Sequence, residues 1–231
     1  MFQPGLRLYP AGVRWCVQPG ESPLFGRERG CEAFEQEVLR FDGPSAARTS
    51  PDDEVLYVLA GSGAAEIGGD RAELTRGTAA YVAGGTAWQV VEADGLEILS
   101  VLVRDPLSGD ATHAIVGIDD AETGDATAGR QFRLLAPSAS VTQFIGYIPV
   151  GRAPDHFHKY DEVVYVLEGH GELHIDGETA PLRAGTCVHL PAGLVHCLEN
   201  TGPDELHVLG VFRPAGSPAE AYYPDGTRAT Y

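Results

Sequence analysis

The chain of 231 residues contains an internal repeat. The segment EVLYVLAGSGAAEIGGDRAELTRGTAAYVAGGTAW, which begins at Glu54, aligns without a gap with EVVYVLEGHGELHIDGETAPLRAGTCVHLPAGLVH, which begins at Glu162, an offset of 108 residues. The residues of the first copy that recur unchanged include Glu54, Tyr57, Gly61, Gly63, Ile67, Gly69, Leu74, Gly77, Thr78 and Gly85. Self-similarity at a fixed offset indicates a duplicated structural unit, here of about 110 residues. We therefore expect the two halves of the chain to share one fold.

Each copy has the pattern of a β-sheet protein. Apolar runs of four to seven residues, rich in Val, Ile, Leu and Tyr, are separated by Gly-rich turns such as GG at 68 and DG at 176. No window sustains the 3.6-residue period of a helix. The pattern predicts two small all-β barrels or sandwiches, one in residues 1–112 and one in residues 113–231, joined through the loop-like segment 105–129.

The charge balance excludes several classes of partner. The chain has 16 Lys and Arg against 33 Asp and Glu, a net charge of −17, whereas nucleic acid and anionic membranes are bound through positive patches.

The sequence has neither the basic and apolar segments of a secretory signal nor an apolar run of membrane-spanning length. The cysteines Cys16, Cys31, Cys187 and Cys197 form no CXXC pair and are expected to be reduced. We therefore expect a cytoplasmic protein with a small-molecule substrate and with no nucleic acid or membrane partner.

The stretch DHFHKYDEVVYVLEGHG, which starts at Asp155, concentrates side chains that bind metals. Because side chains on an extended strand alternate, His156 and His158 point to the same side, and Glu162 can join them after a short kink. Two imidazoles and a carboxylate on one face form a candidate metal site. A polar strand end with solvated histidines is the alternative interpretation.

A second motif, GTCVHLPAGLVHCLEN, starts at Gly185. Its PAG turn, residues 191–193, returns the chain so that His196 can approach the first two histidines. Together the two motifs resemble those of the cupin family, and the duplication makes the chain resemble a bicupin. The residues that carry the resemblance are Gly151, His156, His158, Glu162 and Gly169 in the first motif and Gly185, Pro191, Gly193, His196 and Asn200 in the second. The first motif is one residue shorter than usual between its glycine and its first histidine, and the second has the family's spacing.

The resemblance implies both a fold and a metal site. The fold class that it implies is all-β, with two tandem double-stranded β-helix barrels of the jelly-roll kind. It also implies one divalent metal per chain, held inside the second barrel by His156, His158, Glu162 and His196. Three imidazoles and one carboxylate suit Fe(II) or Mn(II), with Ni(II) or Zn(II) as alternatives, and leave two octahedral positions open for chemistry.

The first copy lacks the same set of donors. At the positions of the three histidines it has Arg48, Ser50 and Trp88, and it keeps only the glutamate, as Glu54. Arginine is cationic and tryptophan is not a metal ligand, so we expect the first barrel to hold no metal and to serve as a packing partner. An ion pair between Arg48 and Glu54 inside this barrel would be structural, and a small anion pocket around Arg48 is the alternative.

Several other residues are candidates for supporting roles. Lys159, the only lysine of the chain, is a candidate catalytic anchor for a substrate carboxylate, with an exposed loop residue as the alternative. Tyr160 is a candidate catalytic donor to an oxygen at the metal, or else a packed side chain. His174 and His189 are candidates for contacts behind the ligands, although strand alternation favours a solvent-facing His174. The tail, residues 212–226, is expected to cover a barrel edge or a subunit contact.

These observations predict a metal-dependent enzyme that acts on a small oxygen-rich metabolite. An O2-dependent dioxygenase is favoured, because two open positions can hold a bidentate enolate or diol beside O2, an arrangement similar to that of quercetin and acireductone dioxygenases. Glu162 would then act as both a ligand and a proton acceptor. Redox-neutral chemistry (isomerisation, decarboxylation, or hydrolysis as in ureidoglycine aminohydrolases) and non-catalytic binding of a small ligand are the alternatives. A homodimer or higher oligomer is expected, because β-barrels expose sheet edges and apolar faces that commonly pair.

Overall fold

The structure is a computed structural model that describes residues 16–17, 24–106, 113–135 and 138–229. The strands of the first half are β1 (Cys16–Val17), β2 (Phe34–Phe41), β3 (Asp53–Ile67), β4 (Asp70–Thr75), β5 (Thr78–Val82) and β6 (Trp88–Val103). Those of the second half are β7 (His113–Gly117), β8 (Glu122–Asp125), β9 (Gln131–Leu134), β10 (Thr142–Ile148), β11 (Asp161–Glu168), β12 (His170–Ile175), β13 (Glu178–Arg183), β14 (Cys187–Leu190), β15 (His196–Asn200) and β16 (Leu206–Arg213). Short 3-10 turns lie at Arg27–Arg29, Ile118–Asp120 and Thr127–Gly129. Among the residues that the structure describes, none forms a helix with the length and hydropathy needed to cross a lipid bilayer.

The strands form three antiparallel sheets. A six-stranded sheet has the order β2-β6-β3-β5-β7, with β4 paired to β3. A seven-stranded sheet has the order β1-β14-β11-β16-β10-β9-β8, and a three-stranded sheet has the order β13-β12-β15. One apolar core lies among β3, β4, β5 and β6, and another lies between the seven-stranded and three-stranded sheets. The predicted fold class, all-β with two tandem jelly-roll barrels, is therefore confirmed.

Each half of the chain contributes an edge strand to the sheet of the other half. In the first exchange, β1 pairs with β14 so that Cys16 lies opposite Val188. In the second, β7 pairs with β5 so that His113 lies opposite Val82. Strands from both sides of the predicted division between residues 112 and 113 thus share sheets. The division itself stays a prediction. The expected association into a homodimer or higher oligomer also stays a prediction.

Alternation along β11 determines which side chains face the interior of the second barrel. Val164 and Val166 are fully buried in the core of that barrel. Val163 points the other way and is buried in a third apolar cluster, which joins the two barrels and also contains Val55 of β3. Glu162 shares the parity of Val164, so the strand directs its carboxylate into the barrel.

Close approach of two strands explains a pair of glycines that match in the repeat. A Cβ atom at Gly171 would lie 2.0 Å from the carbonyl oxygen of Glu199, and one at Gly63 would lie 2.1 Å from that of Glu92. Both distances are far shorter than any real Cβ contact. No other residue fits at either position unless the neighbouring strand moves, so both copies keep glycine there.

Candidate metal centre

The structure brings three of the four predicted ligands together around one point. His156 and His196 exchange two backbone hydrogen bonds, of 3.0 and 2.8 Å, which fix the two segments side by side. His158 lies two residues further along, and its carbonyl oxygen accepts a 2.7 Å bond from the N–H of Gly193, in the predicted turn. One ring nitrogen from each histidine lies within 4.8 Å of the others, and all three side chains are buried.

Each of these imidazoles has its Nδ1 atom next to a backbone carbonyl oxygen. The three carbonyls belong to Pro154 for His156 (3.0 Å), Glu220 for His158 (2.8 Å) and Leu194 for His196 (2.8 Å). A carbonyl oxygen can only accept, so each Nδ1 must carry the proton and donate. The lone pair of each imidazole is then on Nε2, which is the state that a metal-binding histidine requires. The donor set therefore fits a divalent metal.

Burial keeps the three imidazoles neutral. Loss of hydration, followed by repulsion from neighbouring charged groups, lowers the pKa of His156 from 6.5 to about 3. Loss of hydration also lowers the pKa of His158 to about 4 and that of His196 well below 6.5. At neutral pH no proton has to leave these rings before they can bind a metal.

Glu162 lines the same cavity as the three histidines. Its side chain is buried, and loss of hydration raises its pKa from 4.5 to about 8, although the positive charge of Arg130 acts in the opposite direction. A carboxylate in such a place is costly without a cation nearby. A divalent metal beside the histidines would offset this cost, so Glu162 fits the role of anionic ligand.

The cavity beside these donors has a volume of about 70 Å³. Its walls are mostly apolar and include Phe144, Val164, Leu198, Val208 and Phe212. The donors lie at its surface rather than inside packed protein. A metal held there would therefore have access to a small molecule in the cavity.

The C-terminal tail packs against the segment that carries His156 and His158. Tyr222 exchanges backbone hydrogen bonds of 2.9 and 3.0 Å with Phe157, and the two rings stack with their centroids 5.6 Å apart. The hydroxyl of Tyr160 donates to the carbonyl of Ser217 at 3.0 Å. The Lys159 ammonium lies 3.9 Å from the centre of the Tyr222 ring. Both side chains contact the tail and neither lines the described cavity, and their predicted catalytic roles stay predictions.

Removal of the tail after Arg213 is expected to weaken metal binding by about 10-fold, the usual effect of losing a group that orients a ligand. The reason is that the Glu220 carbonyl, which holds Nδ1 of His158, lies in the tail. Calorimetric titration of the metal-free protein with Zn(II) measures this change. A chain ending at Ala229 keeps the contact and is the control. Equal affinities of the two truncated chains would contradict the role of the tail.

The two other candidate histidines lie away from the site. His174 is on the outer face of β12, where its Nε2 lies 2.8 Å from a carboxylate oxygen of Glu199. His189 packs between Phe25 and Phe34, with ring centroids 5.7 and 6.4 Å away, at the junction of the two barrels. Neither histidine lines the cavity, so contacts behind the ligands come from backbone carbonyls instead.

The equivalent centre of the first barrel is filled by a different network. The carboxylate of Glu54 accepts hydrogen bonds from Trp88 Nε1 at 2.7 Å and from Ser100 Oγ at 2.5 Å. Arg48 lies 3.3 Å from Glu54, which is the expected ion pair, and 3.4 Å from Glu37. The Arg48 guanidinium also lies 5.2 Å from the centre of the Trp88 ring. Two carboxylates compensate the charge of Arg48, which argues against the alternative of an anion pocket.

Arg130 also lines the cavity and was not among the residues predicted from the sequence. It follows the 3-10 turn Thr127–Gly129, and its Nη2 donates to the carbonyl of Leu198 at 2.7 Å. In the sequence it is an ordinary arginine at the end of a loop, 26 positions before His156. It reaches the site because β9 pairs with β10, and no motif in the sequence signals this.

Comparison with known proteins identifies the family. The family model of the cupin domain matches residues 144–212. Protein SchB of Streptomyces halstedii is 32% identical over 101 residues, which cover 41% of this chain and 73% of SchB. Polyketide synthase CurC of Streptomyces cyaneus is 33% identical over 101 residues, and this match spans 41% of the chain and 66% of CurC, just under two thirds of its length. A mutant form of oxalate decarboxylase OxdC from Bacillus subtilis shares the fold, with a TM-score of 0.65 at 16% identity over 80% of this chain and 70% of that one. The protein belongs to the cupin family.

Proposed function

We propose that the protein is a metal-dependent enzyme acting on a small oxygen-rich metabolite, with His156, His158, Glu162 and His196 as the ligands of one divalent metal. The observation that carries this proposal is the set of three Nδ1 donors held by backbone carbonyls, which leaves three neutral Nε2 atoms for one cation. A structural metal is normally enclosed by protein ligands. Here the donors border a cavity of about 70 Å³, which favours catalysis over a structural role.

Each group of the chain has a distinct part in this proposal. Fe(II) or Mn(II) bound at the site would supply Lewis acidity and open positions for a chelating substrate and O2. The three backbone carbonyls fix the orientation of the imidazoles. Glu162 would serve both as the anionic ligand and as the acceptor of a substrate proton. Phe144 and Phe212 keep water away from the reacting atoms.

Within this class we propose an O2-dependent dioxygenase. Four protein ligands leave two octahedral positions, enough for a substrate that chelates through two oxygens or for one oxygen beside O2. The apolar walls favour a reaction in which an electron-rich enolate must be protected from water. The support for this finer assignment is the composition of the donor set and of the walls.

The decisive experiment compares protein loaded with Fe(II), Mn(II) or Zn(II). We expect the Fe(II) or Mn(II) form to consume O2 in proportion to substrate loss with one or more of a panel of enols, diketones and hydroxy acids. The Zn(II) form is the control, because zinc has no accessible redox state. Accumulation of an isomer, a decarboxylated product or ammonia without O2 would replace oxidation with redox-neutral chemistry. Recovery of every bound compound unchanged would indicate a binding protein.

A further inference from the structure

Arg130 brings a permanent positive charge to the wall of the candidate metal cavity. Its guanidinium is held in place by the 2.7 Å bond to the Leu198 carbonyl and by a hydrogen bond with the Cys197 side chain, two contacts that use only part of its five N–H donors. Of the described residues that line this cavity, it is the only arginine or lysine. The sole carboxylate among the same residues is Glu162. With a divalent metal bound, the cavity would therefore carry a net positive charge.

The charge of Arg130 lacks the compensation that other arginines have. Arg133, Arg152 and Arg213 each have a carboxylate oxygen within 4.0 Å, at 3.8, 3.0 and 3.7 Å. Within the described part of the chain Arg130 forms no such ion pair: its side-chain partner is the thiol of Cys197, and Glu162 influences it only from further away. Loss of hydration lowers the pKa of Arg130, which reflects the cost of this position. A partly buried cation without a close anion is destabilising, so the site is suited to receive one from outside.

We propose that Arg130 binds the carboxylate of a small 2-oxo or 2-hydroxy carboxylate, whose second oxygen points to the three histidines and Glu162; this rests on the proposed function. A guanidinium can hold a carboxylate through two parallel hydrogen bonds, which fixes the orientation of the molecule. A cavity of about 70 Å³ has room for roughly half a dozen water-sized groups, which is the size of a three- or four-carbon acid. The apolar side walls formed by Phe144 and Val208 suit the methyl or methylene end of such an acid.

The test uses Zn(II)-loaded protein and measures binding rather than turnover. Pyruvate is the probe, and pyruvamide has nearly the same shape without the negative charge. We expect Arg130→Gln to weaken pyruvate binding by about 10-fold or more, since a charge-assisted bidentate contact is lost, and to leave pyruvamide binding unchanged. Arg130→Lys keeps the charge but not the two parallel bonds, so we expect an intermediate loss.

Two controls separate this inference from the proposed function. Zn(II) affinity is measured first: failure of the wild type to bind zinc defeats the proposed function, whereas equal zinc affinity of wild type and Arg130→Gln shows an intact site. Arg133→Gln removes a neighbouring arginine that donates to the Ile118 carbonyl at 2.8 Å and does not line the cavity. It is expected to bind pyruvate as the wild type does. Equal pyruvate affinity of wild type and Arg130→Gln, or no pyruvate binding by zinc-loaded wild type, would overturn the role of Arg130.

Discussion

Replacing His196 with alanine is expected to lower the affinity of the protein for Zn(II) by at least about 100-fold. His196 supplies one of three buried nitrogens that lie within 4.8 Å of one another, and its Nδ1 is held by the Leu194 carbonyl, so the variant loses a donor that is already oriented. Loss of groups that merely orient a ligand already costs about 10- to 100-fold, and loss of the ligand itself should cost more. Calorimetric titration measures the affinity, and elemental analysis after dialysis is expected to find one metal per wild-type chain.

A histidine elsewhere in the same barrel supplies the control for this prediction. His174 lies on the outer face of β12 beside Glu199, so His174→Ala removes an imidazole without touching the cavity. We expect this variant to keep one metal and the wild-type affinity. His158→Ala should behave like His196→Ala. Full metal retention by His158→Ala, or two metals in each wild-type chain, would contradict the assignment of the ligands.

The part of the site that the sequence predicted depends on short-range geometry. Alternation along an extended segment predicted that His156 and His158 share a face, and the turn at Gly193 predicted the return of the chain to His196. The resemblance to the cupin family implied that these imidazoles form one site with Glu162. The duplication likewise assigned Arg48 and Trp88 to the positions that His156 and His196 have in the second copy. The two pairs indeed form equivalent backbone bridges.

The rest of the site depends on pairing between distant strands. The cavity receives Arg130 because β9 pairs with β10, and the short segment itself has no feature that marks this partner. The exchange of β1 and β7 between the sheets has the same origin, because register and partner choice are set by the complete tertiary structure. The acceptors at Nδ1 of the histidines are backbone carbonyls, such as that of Glu220, and every residue has one, so no side-chain motif could identify them.

Replacing Glu162 with glutamine is expected to stabilise the metal-free protein by about 2 kcal/mol at pH 7. Burial raises the pKa of Glu162 from 4.5 to about 8, so at pH 7 the folded state must take up a proton that the unfolded state does not carry. Each pH unit above 4.5, up to the folded-state pKa, costs the folded state about 1.4 kcal/mol, which makes roughly 3 kcal/mol the upper limit at pH 7. Glutamine has nearly the same shape and requires no proton.

The stabilisation by Glu162→Gln has a defined dependence on pH. It should grow as the pH rises from 4.5 to about 8, because only the unfolded carboxyl is ionised in this window. It should disappear below pH 4.5, where both states carry the proton. Thermal unfolding in EDTA measures the difference, which at pH 7 corresponds to roughly 4 to 8 °C in Tm for a chain of this size.

The matching glutamate of the first barrel is expected to respond in the opposite direction. Glu54 already accepts hydrogen bonds from Trp88 and Ser100 and pairs with Arg48, so Glu54→Gln weakens three contacts to a charged acceptor and should destabilise the protein by about 2 kcal/mol.

Saturating Zn(II) is expected to reverse the order of the Tm values of wild type and Glu162→Gln, because a ligand stabilises the folded protein more when it binds more tightly. The Tm of Glu54→Gln should stay below that of the wild type. If Glu162→Gln melts below wild type in EDTA at pH 8, the buried carboxyl is already compensated by the protein and has no need of a metal. If Glu162→Gln stabilises the metal-free protein and Glu54→Gln destabilises it, the first copy of the repeat compensates its glutamate with its own side chains. The second copy then relies on a bound cation to compensate Glu162.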